Sequence, residues 1–231
     1  SGDGHDLAVI ALDYVNKEEI IDGIKVYRIK PINVFNYLDI NKKPLWLRFF
    51  FHIFDLFGDL SAWKILKIVK KEKPDLVFLQ GFKGFGYILP QLLSFYNFRC
   101  CLRVYDMQYI HPSGLLPKKI TWLNQIYIYL VKLMLGKVPL VIFPSAYIKN
   151  VYLKLGFFND SKITVIPNPL ALSISKIEKN NRRKKTINFL FLGQAEKYKG
   201  LGDLLEAVMP LVGDFKLTVV GEGNDLNEFK R

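Results

Sequence analysis

The stretch INFLFLGQAEKYKG (187–200), followed by LGDLLEA (201–207) and LTVVGEG (217–223), decides the fold. The uninterrupted apolar run 187–192 predicts a buried strand, Leu201 to Val212 a helix, and Lys216 to Val220 a second strand. Gly193 follows the first strand directly, and Lys199-Gly200 stands six residues later, just before the helix. A helix N-terminus presents unpaired N–H groups and a partial positive charge. A lysine and flexible glycines beside it make a grip for a diphosphate. Gly221-Glu222-Gly223 repeats the arrangement after the next strand, where backbone can approach a ligand closely. The spacing is neither that of a Walker loop nor the Gly-x-Gly-x-x-Gly of dinucleotide binders. Taken alone, a lysine at a helix start is more often simply solvated.

The same alternation of strand and helix runs through the chain ahead of this unit. Strands are expected at Leu7–Leu12, Leu76–Leu79, Cys100–Tyr105, Val138–Phe143 and Ile163–Ile166. A shorter alternating stretch is opened by Asp22-Gly23, after a polar bend at 16–19. Helices are expected from Ser61 as N-cap to about Lys71, around Tyr87–Tyr96, from about Lys119 to Leu135, and from Ser145 as N-cap to Gly156. Leu45 to Phe57 is crowded with Trp46, Phe49, Phe50, Phe51, Phe54 and Phe57. It reads as a helix for the core in preference to one lying on a membrane interface. Strands alternating with helices imply right-handed crossovers and a parallel sheet, with binding sites at the carboxyl ends of the strands. Gln80-Gly81, Tyr105-Asp106, Ser145 and Asn168 stand there. Residues 170–186 are polar and basic without periodicity and read as a linker. The expected organisation is therefore a first domain over 1–169, the linker 170–186, and the beginning of a second domain over 187–231.

In order, the chain reads PDLVFLQG (74–81), a strand ending in Tyr105-Asp106, PLVIFPSAYIKNVYLKLGF (139–157), ITVIPNP (163–169), and then the opening stretch. This series resembles the retaining glycosyltransferases of family 4. Their GT-B architecture is α/β, two Rossmann-like doubly wound parallel-sheet domains, of which the second would be incomplete here. Gly4-His5-Asp6-Leu7 is similar to a Gly-His-Glu-Val that follows the family's first helix, so the first strand and its glycine-rich loop would be missing. The family's Glu-x7-Glu motif would lie beyond residue 231, and these residues alone are expected to transfer no sugar.

The resemblance implies transfer of a glycosyl unit from a nucleotide sugar to a glycan or lipid-linked acceptor, in polysaccharide or cell-envelope biosynthesis. It implies retention of anomeric configuration and no cofactor: a metal-independent reaction in which the nucleotide-diphosphate sugar is the co-substrate. Lys199 matches the family's lysine on the donor diphosphate, and Gly193 and Gly200 match its neighbours. Gln194 stands where the family carries arginine, an amide in place of a charge. Gly221, Gly223 and Asn168 complete the expected donor side. Gln80, Gly81 and Tyr105 are expected on the acceptor side, with Tyr105 in place of a histidine, and Pro169 in place of the glycine after Asn168. Asp106 matches a family position and is the catalytic candidate; its alternative reading is a cap on a local turn. Two rivals stay open: a GT-B subunit that binds without catalysing, and a Rossmann nucleotide-sugar epimerase or dehydrogenase. The latter would need a Gly-x-Gly-x-x-Gly loop and a Tyr-x-x-x-Lys pair.

Composition bounds the partners. The chain carries 33 Lys or Arg against 21 Asp or Glu, a formal charge of +12. That balance favours an anionic partner, or simply keeps the chain soluble. The dense basic cluster, 182–185, has no aromatic interleaving, which argues against nucleic acid. Lys118, Lys119, Lys132 and Lys137 point instead to an anionic membrane surface. Cys100 and Cys101 are adjacent inside an apolar run and read as small buried residues of a reduced, cytoplasmic protein, peripheral at the inner face of the membrane. Three scattered histidines make no metal site.

Overall fold

The computed structural model describes residues 4–57, 60–169 and 186–223. The chain divides into two compact units, Ser1–Leu170 and Ala171–Arg231. Apart from Thr186, the expected linker lies outside the described residues.

The first unit begins with β1 (Ala8–Leu12), β2 (Lys17–Ile21) and β3 (Ile24–Ile29), joined in the order β1-β3-β2. β1 runs parallel to β3, while β2 and β3 form an antiparallel hairpin. The polar bend expected at 16–19 is thus the start of a strand. Asp22 and Gly23 take positive φ angles of 51° and 77°, the two-residue turn that suits a hairpin's twist. The charges that disguised β2 face partners across the strands and from a neighbouring helix: Glu19 Oε1 accepts from Arg28 Nε at 2.9 Å, and Glu18 pairs with Lys71 at 3.1 Å.

Two helices follow, α1 (Leu45–Leu56) and α2 (Leu60–Glu72). Ser61 lies inside α2 and is not its cap; its hydroxyl accepts from the Ile32 N–H at 2.8 Å. Then the expected alternation appears: β4 (Val77–Gln80), α3 (Leu89–Phe95), β5 (Cys100–Arg103), α4 (Trp122–Leu135), β6 (Leu140–Phe143), α5 (Ala146–Lys154) and β7 (Lys162–Val165). These strands form one parallel sheet in the order β4-β5-β6-β7. Every residue of β5 is buried, as a central parallel strand with both faces covered requires. Leu102, Val141, Phe143, Leu93, Leu66 and Tyr152 make the centre of the core. Cys100 and Cys101 are free and buried there, and burial pushes the Cys100 thiol up to about 11. The free edges of β1 and β4 both line a cavity of about 240 Å³, floored by Ile65, Ile68 and Val69 of α2.

Cap chemistry sets the helix ends. Thr121 and Asn124 form a reciprocal capping box at the start of α4, and Ser145 caps α5 through the Ile148 N–H, as its position predicted. Gly156, at φ 72°, follows α5 in the left-handed region.

The segment 82–87 between β4 and α3 is wholly buried although it carries two glycines and a lysine. Asp55 of α1 explains why. Its Oδ1 accepts from the N–H groups of Gly84 at 2.9 Å and Gly86 at 3.2 Å, and its backbone carbonyl accepts from Tyr87 N at 3.0 Å. Gly84 and Gly86 both have φ near 85°, which frees their amides to converge on one carboxylate.

The second unit holds β8 (Ile187–Leu192), α6 (Leu201–Val208) and β9 (Phe215–Val220), with β8 and β9 paired in parallel over their whole length. The strands agree with the expectation to within a residue. The helix ends four residues early because Pro210 has no N–H to continue its hydrogen-bond ladder, although Met209 before it keeps helical φ and ψ angles.

Asp55→Ala is expected to lower unfolding free energy by roughly 2–4 kcal/mol, since two buried amides lose a charged acceptor. Urea denaturation read by circular dichroism measures this, and a loss under about 1 kcal/mol would contradict the role given to Asp55.

Candidate functional site

At the carboxyl ends of β4, β5 and β7, four side chains named or flanked by the sequence reading are tied together. Tyr105 OH donates to Gln80 Oε1 at 2.7 Å, joining the end of β4 to the residues after β5. The Arg103 guanidinium lies over the Tyr105 ring at 5.3 Å. Its Nη2 donates to Asn168 Oδ1 at 2.9 Å and to the carbonyls of Ile166 at 3.0 Å and Pro167 at 3.2 Å. Arg103 was not singled out by sequence. Its signal was available: an arginine in an otherwise apolar run must be paired once the strand is buried. It fixes the Pro167-Asn168 turn, so Asn168 is held by a side chain from two strands away.

Asp106 stays exposed at the mouth of this cluster. Its Oδ1 accepts from Gln108 N at 2.8 Å, the turn-capping geometry foreseen as its alternative reading, and its carbonyl accepts from Tyr152 OH at 2.8 Å. The capping bond uses one carboxylate oxygen. The other faces Gly114, where a Cβ would lie 3.2 Å from it. Gly81, at φ 50°, turns the chain off β4 into the buried segment.

Lys83, also missed by sequence, is 6% exposed and donates to the Pro112 carbonyl at 2.6 Å. Burial pushes its pKa down, and the charges of Asp106 and Asp55 partly offset that. His52 is pushed down to about 4 by burial, reinforced by Lys83, His111 and Arg48, so its ring is neutral at pH 7. His111 is lowered by burial and by Lys83, and its Nδ1 is 2.7 Å from the Ser113 hydroxyl. A buried cation near a surface carboxylate is the electrostatic core of this face.

In the second unit, Gly193 N donates to Val220 O and Ala195 N to Glu222 O, extending the strand pairing into the two loops. A Cβ on Gly221 would lie 1.8 Å from Gly193 O, and one on Gly223 would lie 2.3 Å from Ala195 O. The glycines therefore answer first to the chain's own loop, which they allow to lie flat against them. A short 3-10 turn, Lys197–Lys199, then leads to Gly200, whose φ of 79° sets it as the cap of α6. Gln194 and Lys199 are both exposed. Gln194 Oε1 accepts from Tyr198 OH at 3.1 Å, which orients its amide nitrogen as a remaining donor. Lys199 Nζ sits 5.4 Å from the Tyr198 ring. The turn brings together Gln194, Lys199 and the N-terminus of α6, and Asp203 supplies an acid in the first turn of that helix. Such a surface can hold a polyanion by charge and by backbone N–H groups. Among the described residues no cluster of three or more His, Cys, Asp or Glu could hold a metal ion.

Gly221→Ala should collapse this arrangement without touching any charge. An overpacked loop costs about 1–3 kcal/mol, so the thermal unfolding temperature is expected to fall, whereas Lys199→Ala should leave it unchanged. Equal melting of the Gly221→Ala and unsubstituted proteins would refute the packing constraint.

Comparison with known proteins fits this geometry. The model of Glycosyltransferase Family 4 matches residues 1–173. An uncharacterized 42.6 kDa protein in the cps region of Klebsiella pneumoniae is 25% identical over 179 residues, covering 74% of this chain and 48% of that protein. A 41.2 kDa protein in a cps region of the same species is 26% identical over 167 residues, covering 68% of this chain and 46% of its own length. An uncharacterized glycosyltransferase of Methanocaldococcus jannaschii is 34% identical over 111 residues, covering 43% of this chain and 28% of its own. The matched regions span about half the length of the Klebsiella relatives. With a parallel sheet flanked by helices and its polar cluster at the carboxyl ends of the strands, the chain belongs to glycosyltransferase family 4.

Proposed function

We propose that the protein of which these residues form part transfers a sugar from a nucleotide-diphosphate donor to a glycan or lipid-linked acceptor, with retention of anomeric configuration. The observation that carries this reading is the Lys199-Gly200 turn at the start of α6, in a chain that belongs to a glycosyltransferase family. The second unit would receive the nucleotide diphosphate. Lys199 supplies the charge, Gln194 a neutral hydrogen-bond donor, and the α6 N-terminus backbone N–H groups.

These fixed donors stabilise negative charge as it develops on the leaving diphosphate, and they need no reorganisation at the moment of bond cleavage. Oxygens of the departing phosphate then accept the proton of the acceptor hydroxyl, so no metal or further cofactor enters the reaction. The first unit would present the acceptor along Gln80, Tyr105 and Asp106, with Asn168 held by Arg103 at the turn after β7. The cps-region setting of two relatives supports a role in surface polysaccharide assembly.

One observation favours a second reading. Gln194 is a neutral residue at the position where the resemblance leads one to expect a charge, and its carbonyl is engaged by Tyr198. A protein that binds the donor without turning it over would tolerate that loss. Product formation by the full-length protein separates the two readings.

Lys199→Ala is expected to weaken binding of a nucleoside diphosphate about tenfold or more, the scale of one charge-assisted hydrogen bond. Isothermal calorimetry with uridine and guanosine diphosphates measures it on full-length protein. Unaltered affinity for a diphosphate that binds the unsubstituted protein would sink the donor-site reading.

A further inference from the structure

The sequence reading placed the aromatics of α1 in the core, and the structure places most of them outside. Phe51, Asp55 and Leu56 are the buried residues of the helix. Trp46 is 62% exposed, Phe49 61% and Phe54 55%, and Leu45 and Phe50 complete the stripe. Their spacing puts them on one side of the helix, opposite Phe51 and Asp55. The rings of Trp46, Phe49 and Phe50 touch edge to face, so the stripe is a continuous aromatic surface.

α4 packs beside α1 and repeats the pattern. Ile128, Val131 and Leu135 face the core, while Trp122, Leu123, Ile126, Tyr129 and Leu133 are exposed. Soluble monomers rarely leave apolar patches of more than a few hundred Å² uncovered. Two neighbouring faces of this kind mark an interaction surface.

Charge identifies the occupant. Residues 41–57 and 115–137, which carry both helices, contain seven Lys or Arg and one acid, Asp55. Asp55 is buried, and the nearest acid ahead of α1, Asp39, is already paired with Lys42 at 3.2 Å. Lys118 and Lys119 are exposed just ahead of the α4 stripe. Apolar faces led by tryptophan, rimmed by lysine and, among the described residues of these two segments, without an exposed carboxylate fit a bilayer boundary, where rings sit at headgroup depth and lysines meet phosphate. Among the described residues no helix is long and apolar enough to cross a membrane.

We propose that the outer faces of α1 and α4 form a docking surface for an anionic lipid bilayer, entered by Trp46, Phe50, Trp122 and Tyr129 and steered by Lys118 and Lys119. This deepens the acceptor half of the proposed function, since a protein held at that surface meets acceptors carried on lipid. The surface itself is independent of the donor turn.

Co-sedimentation with vesicles tests it on full-length protein. Binding to vesicles of phosphatidylcholine mixed with phosphatidylglycerol is expected, with little binding to phosphatidylcholine alone. Lys118→Gln with Lys119→Gln should weaken binding roughly fivefold per lysine, the scale of one basic residue near an anionic leaflet. The exposed pairs W46Q/F50Q and W122Q/Y129Q should each weaken it further, with the far-ultraviolet circular dichroism spectrum unchanged. Binding that survives both aromatic pairs, or equal affinity for the two kinds of vesicle, would overturn the proposal. So would a dimer in analytical ultracentrifugation that W46Q/F50Q converts to monomer without any vesicle binding, which would make the occupant a second copy. The vesicles carry no nucleotide sugar, so failure here leaves the donor reading standing, and failure of the calorimetric test leaves this one standing.

Discussion

The Asp55 carboxylate, buried at the foot of α1, accepts from the amides of Gly84 and Gly86 and so joins the helix to the segment that follows β4. A buried charge is tolerated only where donors converge on it, and a segment with two glycines is ordered only where something holds its amides. Each half of the contact supplies what the other lacks. Because residues 82–87 are pinned under α1, Lys83 is carried into the interior beside the His111 loop, and the end of β4 points Gln80 at Tyr105. The carboxyl ends of the sheet inherit their shape from this contact.

The second unit rests on a different constraint. Parallel pairing of β8 with β9 continues past both strands, so that the loops after them lie against each other. Any side chain at 221 or 223 would collide with backbone at 193 or 195. The glycines let the two loops close, and closure holds the turn that presents Gln194 and Lys199 at the start of α6. Gln194 and Lys199, the groups proposed to bind, are exposed, while the glycine backbone beneath them is closely packed. That division suits a site meant to hold a charged ligand without rearranging around it.

The outer surface of the first unit shows why a hydrophobic pattern alone does not locate the core. The stripes on α1 and α4 have the same periodicity as core stripes, and their residues are of core type. Each helix carries two apolar faces, and only one of them meets the core. The lysines around the second face mark it, since basic residues surround an interface more readily than they surround a packed interior.

Much of the architecture was legible in the order of residues. Uninterrupted apolar runs such as 187–192 and 140–143 become parallel strands because only a doubly covered sheet buries both sides of a strand. Ser145 starts a helix because its hydroxyl satisfies a backbone amide locally, whereas the capping box of Thr121 and Asn124 starts α4 a little after the expected Lys119. Ordered motifs from Pro74-Asp75 to Gly221-Glu222-Gly223 were enough to point to family 4. The β2 strand was hidden because its charges look like a bend until Arg28 and Lys71 are placed opposite them. Arg103, Lys83 and Asp55 were hidden for the same reason: each satisfies a group 29 or more residues away in sequence. Local chemistry, which the sequence by itself determined, settled the apolar parallel strands, the Ser145 cap and the glycine turns. Which apolar face is covered, and which buried charge holds which loop, depends on contacts between distant segments, and only the tertiary structure decided them.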